Sequence, residues 1–186
     1  NPMNAQSAPI PAATRTVQVG TRLIHLAELG AGPALLMLHG GGPGASGLSN
    51  YARNVQALAR HFRVIVPDLP GYGKSSKGVN ADDPFGDLAD AMLGLLDALD
   101  IARAHVVGNS LGGACALQMA LRQPARVARL VLMGPGGVGI SQGAPTAGLK
   151  RLLGYYAGEG PTLDKLRAFL SEDLVYEGST ITDEVL

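Results

Sequence analysis

A six-residue glycine-rich segment, Gly108–Gly113 with the sequence GNSLGG, constrains this chain more than any other feature. The apolar run at residues 104–107 predicts a buried strand before it, and residues 114–121 predict a helix after it. A turn from strand to helix with a serine between two glycines is sterically crowded, and the glycines relieve that crowding. We expect the turn to raise the Ser110 hydroxyl above the sheet and to aim the Leu111 backbone N–H at whatever the hydroxyl attacks. The alternative is an ordinary glycine-rich turn with an inert serine.

A second glycine-rich loop, His39–Gly44, follows the apolar run at residues 34–38. Open parallel sheets bind ligands at the edge where such a strand ends. Its three successive glycines let the backbone approach a substrate oxygen without obstruction, so the Gly41 backbone N–H can pair with that of Leu111 as an oxyanion hole. A phosphate-binding loop is the alternative, but the expected Gly-Lys-Ser/Thr does not follow. The two loops together predict acyl transfer to Ser110, and no residue cluster has the spacing of a metal or cofactor site.

Alternating strand and helix patterns from residue 34 to residue 133 predict a doubly wound, mostly parallel α/β sheet, preceded by a hairpin at residues 16–27. Six strands are expected in all. A helix begins near residue 51, capped by Ser49 or Asn50, and another begins at Asp83-Pro84. The predicted organisation is a flexible arm (1–14), an α/β core (15–140) and the beginning of a helical lid (141–186). The helices of that lid are expected at 149–156, at 163–170 with Thr162 as the cap, and from 182 onward.

The composition argues against several classes of partner. Fifteen basic and fifteen acidic residues cancel, so nothing favours nucleic acid or an anionic membrane. No apolar stretch approaches the ~20 residues of a membrane span, and the N-terminal segment lacks the pattern of a signal peptide. The single cysteine, Cys115, excludes an intrachain disulfide framework, and we expect it to be a packed core thiol. These features favour a cytoplasmic protein.

Several segments share a wider pattern: His39–Ala45, Ser49–Asn54, Pro70–Ser75, Gly108–Gly113, Leu132–Gly137 and Tyr176–Ser179. Through them the chain resembles the α/β-hydrolase fold and, within it, the meta-cleavage product hydrolases. These enzymes hydrolyse carbon–carbon bonds of ketonic substrates in bacterial aromatic and steroid ring degradation. The glycine motifs are shared widely across the fold, whereas their combination with Asn50 and Asn109 is more specific.

The resemblance implies hydrolysis of the C5–C6 bond of a 2-hydroxy-6-oxohexa-2,4-dienoate by a cofactor-free homo-oligomer. It implies Ser110 as the nucleophile and Gly41 and Leu111 as the oxyanion donors. The residues that it places along the substrate are Gly41, Gly42, Asn50, Asn109 and Ser179. Two neutral amides can hold an oxygen-rich dienoate without a strong charge. The residues alone also allow simpler roles, with Asn50 as a helix cap and Asn109 as a strained turn residue.

The base that should activate Ser110 is not found in the sequence. In this fold the chain order is serine, then acid, then histidine, yet all four histidines precede the serine: His25, His39, His61 and His105. We expect His39 to be structural, His105 to lie in a buried strand, and the other two to lie at the surface or an edge. Asp68 is expected in a structural turn. The acidic residues after the serine are expected on solvated faces or in first helical turns: Asp164, Asp173 and Asp183.

The triad acid and histidine are therefore expected outside these 186 residues, which makes the chain a fragment or one completed by another chain. Two other functions remain open. An esterase or lactonase on the same fold would not need the two amides that hold a dienoate. A non-catalytic relative that binds small molecules or proteins would need no base.

Overall fold

The computed structural model describes residues 11–138, 147–155, 157–174, 179 and 181. The chain divides into two compact units, Asn1–Val138 and Gly139–Leu186. The strands of the first unit are β1 (Ala13–Val19), β2 (Arg22–Leu29), β3 (Ala34–Leu38), β4 (Arg63–Pro67), β5 (Ala104–Asn109) and β6 (Val127–Met133). Its helices are α1 (Gly47–Leu58), α2 (Pro84–Ala98) and α3 (Leu111–Arg122), with a short 3₁₀ turn at Pro124–Arg126.

The six strands form one sheet in the order β1-β2-β4-β3-β5-β6. β3 runs parallel to both of its neighbours, β4 and β5, and β5 runs parallel to β6. The hairpin strand β2 is antiparallel to β1 and to β4. The predicted α/β sheet of six mostly parallel strands is confirmed. Its central strand, β3, ends at the glycine loop and lies beside the strand that ends at Ser110.

Helices cover both faces of this sheet, which is why the central strands are apolar throughout. Along β3, Leu35 and Met37 pack in the cluster that contains α1, while Leu36 and Leu38 pack in the larger cluster that contains α2 and α3. Cys115 belongs to the larger cluster and is fully buried. Burial raises the pKa of its thiol. The prediction of a packed core thiol is confirmed.

Two element boundaries differ from the sequence predictions. β1 begins at Ala13 rather than at residue 16, because backbone pairing with β2 continues through polar residues, and Arg15 forms an ion pair with Glu28 across the pair. The cap of α1 is Ser46, so the prediction of Ser49 or Asn50 was wrong. The Ser46 side chain accepts the Ser49 N–H, and the Ser49 hydroxyl accepts the Ser46 N–H, which forms a capping box.

The second unit contains helices α4 (Ala147–Leu153) and α5 (Leu163–Phe169), followed by a wider helical turn at Leu170–Leu174. Thr162 caps α5, as predicted. Arg151 forms ion pairs with Glu172 and Asp173, and the Asp173 side chain is only 11% exposed. The expectation that Asp173 lies on a solvated face was therefore wrong. The helix predicted from residue 182 lies outside the described residues.

Asp100 follows α2 with a left-handed backbone, at φ 55°, and is exposed. Because glycine adopts this conformation without strain, Asp100→Gly should stabilise the first unit by about 0.5 kcal/mol. Asp100→Ala is the matched control and should destabilise it by about 1 kcal/mol, since the β-carbon keeps the strain and alanine lacks the short polar side chain that makes aspartate tolerant of this conformation. Urea unfolding midpoints measure both effects. A lower midpoint for Asp100→Gly would contradict the prediction.

Candidate active site

Ser110 lies at the junction of β5 and α3 with a strained backbone, at φ 50° and ψ −110°. Tertiary hydrogen bonds hold it there: its N–H donates to the Met133 carbonyl at the end of β6, and its carbonyl accepts the Gly136 N–H. Strain of this kind costs about 1–3 kcal/mol and persists only where the surrounding structure enforces it. The positive φ belongs to Ser110 and not to Asn109, which is the last residue of β5.

The crowding that the sequence predicted at this turn is present. A β-carbon at Gly108 would lie 2.4 Å from the Gly112 carbonyl oxygen. A β-carbon at Gly112 would lie 2.2 Å from the Leu38 carbonyl oxygen, so α3 begins directly against the end of β3. Any side chain at these positions would force the backbone apart.

The Ser110 side chain is exposed at the N-terminus of α3. The hydroxyl makes no capping hydrogen bond to the first turn of that helix, all of which lies within the described residues. The free N–H groups and the dipole of a helix N-terminus favour negative charge beside them. Ser110 is thus held where an oxygen nucleophile and a developing oxyanion would both be stabilised.

The two predicted oxyanion donors are brought together. A β-carbon at Gly41 would lie 3.1 Å from Leu111 Cδ2 and 2.9 Å from the Tyr72 hydroxyl oxygen. The glycine at position 41 therefore permits a close approach that a side chain would block. Gly42 follows it in the same loop, half-buried and with open space where a β-carbon would be.

The two predicted amides contact each other, although they are 59 residues apart in the chain. The Asn50 Oδ1 atom accepts hydrogen bonds from the Gly40 N–H at 3.0 Å and from Asn109 Nδ2 at 3.1 Å. The structure therefore brings together the residues of the first unit that the sequence placed around Ser110. Ser179 belongs to the second unit and is exposed.

His39 is fully buried and contacts the backbone of the glycine loop through its ring. Its Nδ1 atom lies 2.7 Å from the Gly40 carbonyl oxygen, and its Nε2 atom accepts the Leu69 N–H at 2.9 Å. This pattern requires a neutral ring that donates from Nδ1. Burial lowers the pKa of His39, which favours the same form. The expectation of a structural histidine is confirmed, since both ring nitrogens are occupied.

Asp68 is also structural, as predicted, but it does more than form a local turn. Its carboxylate accepts the backbone N–H groups of Gly47 and Lys74, both at 2.9 Å, and lies 3.3 Å from His25 Nδ1. The side chain of His25 is 18% exposed and belongs to an interior strand, so its expected place at the surface or an edge was wrong. Asp68 thus joins the start of α1, the loop after β4 and strand β2.

Two tyrosines that sequence reasoning did not select also shape the site. The Tyr51 hydroxyl donates to the Leu38 carbonyl at 2.8 Å, and burial raises the pKa of Tyr51 to about 12. The Tyr72 ring packs edge-on against His39. The helical spacing of Tyr51 in the sequence indicates only a core position, and Tyr72 lies in a glycine-rich turn. Their roles depend on tertiary contacts with Leu38, at the end of β3, and with His39.

The other two histidines, His61 and His105, lie in the first unit. His61 is exposed, as expected, and His105 is half-buried with its ring against Phe62.

Across residues 11–138 and the described parts of the second unit, no group of three or more histidine, cysteine or acidic side chains could hold a metal ion. Over the same residues, no helix combines the length and apolar character needed to cross a bilayer.

Comparison with known proteins agrees with this geometry. A family model of the α/β hydrolase fold matches residues 33–156. A 2-hydroxy-6-oxo-6-phenylhexa-2,4-dienoate hydrolase from Burkholderia cepacia is 48% identical over 167 residues, which cover 88% of this chain and 57% of that protein. A 2-hydroxy-6-oxononadienedioate/2-hydroxy-6-oxononatrienedioate hydrolase from Comamonas testosteroni is 46% identical over 166 residues, with the same coverage.

Solved structures show the same similarity. The phenylhexadienoate hydrolase of a Rhodococcus species superposes with a TM-score of 0.79 at 34% identity, over 87% of this chain and 59% of that one. A meta-cleavage product hydrolase from Pseudomonas fluorescens gives a TM-score of 0.81 at 34% identity, over 95% and 61%. The chain spans under two thirds of the length of these relatives. The resemblance seen in the sequence is confirmed, and the chain belongs to the α/β hydrolase fold family.

Proposed function

We propose that this protein is a serine-dependent hydrolase that cleaves the C5–C6 bond of a 2-hydroxy-6-oxohexa-2,4-dienoate-type ring-fission product. The observation that carries the proposal is the pair of amides beside the strained serine, with the Asn109 Nδ2 atom 3.1 Å from Asn50 Oδ1. A simple esterase site requires a nucleophile and an oxyanion hole, but it has no need for the remaining amide groups of this pair, Asn50 Nδ2 and Asn109 Oδ1. The names of the relatives in Burkholderia and Comamonas support the same substrate class.

The chemistry begins with the dienol end of the substrate. Its enol must become a ketone, with a proton added at C5, so that the carbon chain can accept the electrons of the broken bond. The amides of Asn50 and Asn109 offer both donors and acceptors to the oxygens of this end. Neutral groups of this kind can stabilise either tautomer without fixing a negative charge on it.

Ser110 Oγ then adds to the C6 carbonyl, and its proton passes to a base. The oxygen at C6 becomes an oxyanion, which the backbone N–H groups of Gly41 and Leu111 stabilise. When the carbonyl reforms, the C5–C6 bond breaks and its electron pair moves through the conjugated chain to the C2 oxygen, which takes up the proton. Water hydrolyses the acyl-serine, which releases the carboxylic acid and restores the hydroxyl. The base and its acid are expected from polypeptide outside this sequence.

We also propose that residues 15–140 form the catalytic core and that residues 141–186, including Ser179, begin a helical lid over the substrate. The proposed partner is a small dienoate. A cytoplasmic location is supported by the single cysteine and the balanced charge. Homo-oligomerisation is proposed from the resemblance alone.

Asn109→Ala in the complete natural gene product tests the substrate class. Loss of an amide that contacts the dienoate should lower kcat/KM for carbon–carbon cleavage by about 10²-fold, because a well-placed donor to developing charge contributes about 3 kcal/mol. Hydrolysis of p-nitrophenyl acetate should fall by less than about fivefold, because Asn50 Oδ1 still accepts the Gly40 N–H and main-chain hydrogen bonds to Met133 and Gly136 still hold the serine turn. Parallel assays on a synthetic dienoate and on the ester measure the two effects.

The same assays separate the other two functions. An equal loss on both substrates would favour an esterase or lactonase. If a fluorophosphonate failed to label the complete wild-type protein at Ser110, a non-catalytic binding protein would be favoured instead.

A further inference from the structure

The Asn50 side chain joins two loops through one atom. Asn50 lies in the first turns of α1, and its Oδ1 atom accepts both the Gly40 N–H, at 3.0 Å, and Asn109 Nδ2, at 3.1 Å. A carbonyl oxygen has two lone pairs, so these two hydrogen bonds use its full capacity as an acceptor. The Nδ2 group of Asn50 takes no part in this contact and is a chemically separate donor.

Each of the two donors to this oxygen lies one residue before a proposed catalytic group. Gly40 precedes the oxyanion donor Gly41, and Asn109 precedes the nucleophile Ser110. A single oxygen atom therefore connects the glycine loop to the serine turn, which its own main-chain hydrogen bonds also hold. Neither hydrogen bond requires a substrate, because both are present in the protein alone.

Gly40 is held on both sides, through its N–H by Asn50 and through its carbonyl by His39. Gly40 is buried, so an unpaired N–H there would cost about 1–3 kcal/mol. The carbonyl of Gly40 lies 2.7 Å from His39 Nδ1. That carbonyl shares a trans peptide plane with the Gly41 N–H, which consequently points away from the histidine. Asn50 and His39 together restrict the rotation of the backbone that carries the oxyanion donor.

We propose that Asn50 is a positioning residue for the oxyanion hole, acting through its Oδ1 atom, in addition to any contact that its Nδ2 group makes with substrate. The inference rests on the proposed roles of Ser110 and Gly41 and does not depend on the dienoate. Removal of the oxygen releases the Gly40 N–H, whereas the serine turn keeps its main-chain hydrogen bonds to Met133 and Gly136. An error of about 1 Å between a nucleophile and its oxyanion donor lowers the rate by about 10²-fold.

The test uses the complete natural gene product and two reagents that have no dienoate: p-nitrophenyl acetate and a small alkyl fluorophosphonate. Asn50→Ala should lower the rate of serine phosphonylation and the kcat for the ester by about 10- to 100-fold, with KM nearly unchanged. Asn50→Asp keeps an acceptor oxygen in place and removes the Nδ2 donor. It should restore both rates to within about threefold of wild type, while carbon–carbon cleavage stays impaired.

Two further variants control for folding and for charge. Asn50→Gln retains the amide but displaces its oxygen by one methylene, so its rates should fall by the same 10- to 100-fold. It replaces Asn50→Ala in the comparison if the alanine variant does not fold. Asn54→Asp makes the same chemical change at an exposed position of the same helix and should leave every rate unchanged. Urea unfolding of each variant checks that the rates compare folded proteins.

Three results would overturn the inference. Wild-type ester and phosphonylation rates in Asn50→Ala would leave Asn50 with a substrate contact only. Equal slowing in Asn50→Asp and Asn50→Ala would show that the acceptor oxygen is not what matters. If the complete wild-type protein did not react with the fluorophosphonate, Ser110 would have no nucleophilic role and Asn50 would have no oxyanion hole to position. A wild type that reacts but does not cleave a dienoate would instead refute only the proposed substrate.

Discussion

Ser110→Ala should abolish fluorophosphonate labelling of the complete protein and lower kcat for carbon–carbon cleavage by about 10⁴-fold or more. Removal of a covalent nucleophile leaves only the catalysis due to binding and the oxyanion donors, which explains the size of the loss. Substrate affinity should change little, because the glycine loop and both amides remain in place. Intact-mass spectrometry measures the labelling, and a stopped-flow assay of dienoate absorbance measures the rate and the binding.

The backbone of the alanine variant should be unchanged. The hydrogen bonds that hold Ser110 come from its main chain, to the Met133 carbonyl and from the Gly136 N–H, so they survive the substitution. Ser76→Ala is the matched control, since the Ser76 hydroxyl accepts the Leu23 N–H elsewhere in the first unit. That variant should label at the wild-type rate. Stoichiometric labelling of Ser110→Ala would show that another residue is the nucleophile.

The serine turn could be predicted from sequence because its causes are local. The spacing of Gly108, Ser110 and Gly112 between an apolar run and a helical pattern requires only neighbouring residues to produce a crowded turn. The same holds for the cap of α5 at Thr162, which precedes its helix directly. Strand number followed from the apolar runs for the same reason.

The contacts that depend on distant residues could not be predicted in this way. The spacing of Asn50 from its helix start suggested a cap, but tertiary folding places its oxygen against Gly40 and Asn109 instead. Asp173 has the sequence character of a solvated residue, yet Arg151 from another helix covers it. Sequence periodicity shows which face of an element is apolar, but it does not show which polar partner meets the other face.

The strain at Ser110 and the close packing of glycines are parts of one arrangement. The turn holds a residue at φ 50° only because α3 starts directly against β3 and because β6 and the loop after it bind the Ser110 main chain. The packing of α3 on β3 and the hydrogen bonds from β6 and its following loop thus hold the backbone of one residue in an unfavourable conformation. The position most sensitive to substitution should be the one where α3 and β3 approach most closely.

Gly112→Ala should therefore destabilise the first unit by about 3 kcal/mol and slow fluorophosphonate labelling by about 10²-fold or more. The added β-carbon would lie 2.2 Å from the Leu38 carbonyl oxygen and 2.6 Å from that of His39. Both atoms are backbone, so no side-chain rotation relieves the clash and α3 has to move away from β3. Ser110 would move with the helix, out of line with the oxyanion donors of the glycine loop.

Gly136→Ala is the matched control for this effect. Gly136 also contacts the serine turn, but a β-carbon there would lie 3.7 Å from its nearest neighbour, the Ser110 carbonyl oxygen, which is ordinary packing. Its N–H, which donates to that oxygen, is retained in alanine. We expect its stability to stay within about 0.5 kcal/mol of wild type and its labelling rate to be unchanged. If Gly112→Ala behaved like this control, the contact between α3 and β3 would not be what positions Ser110.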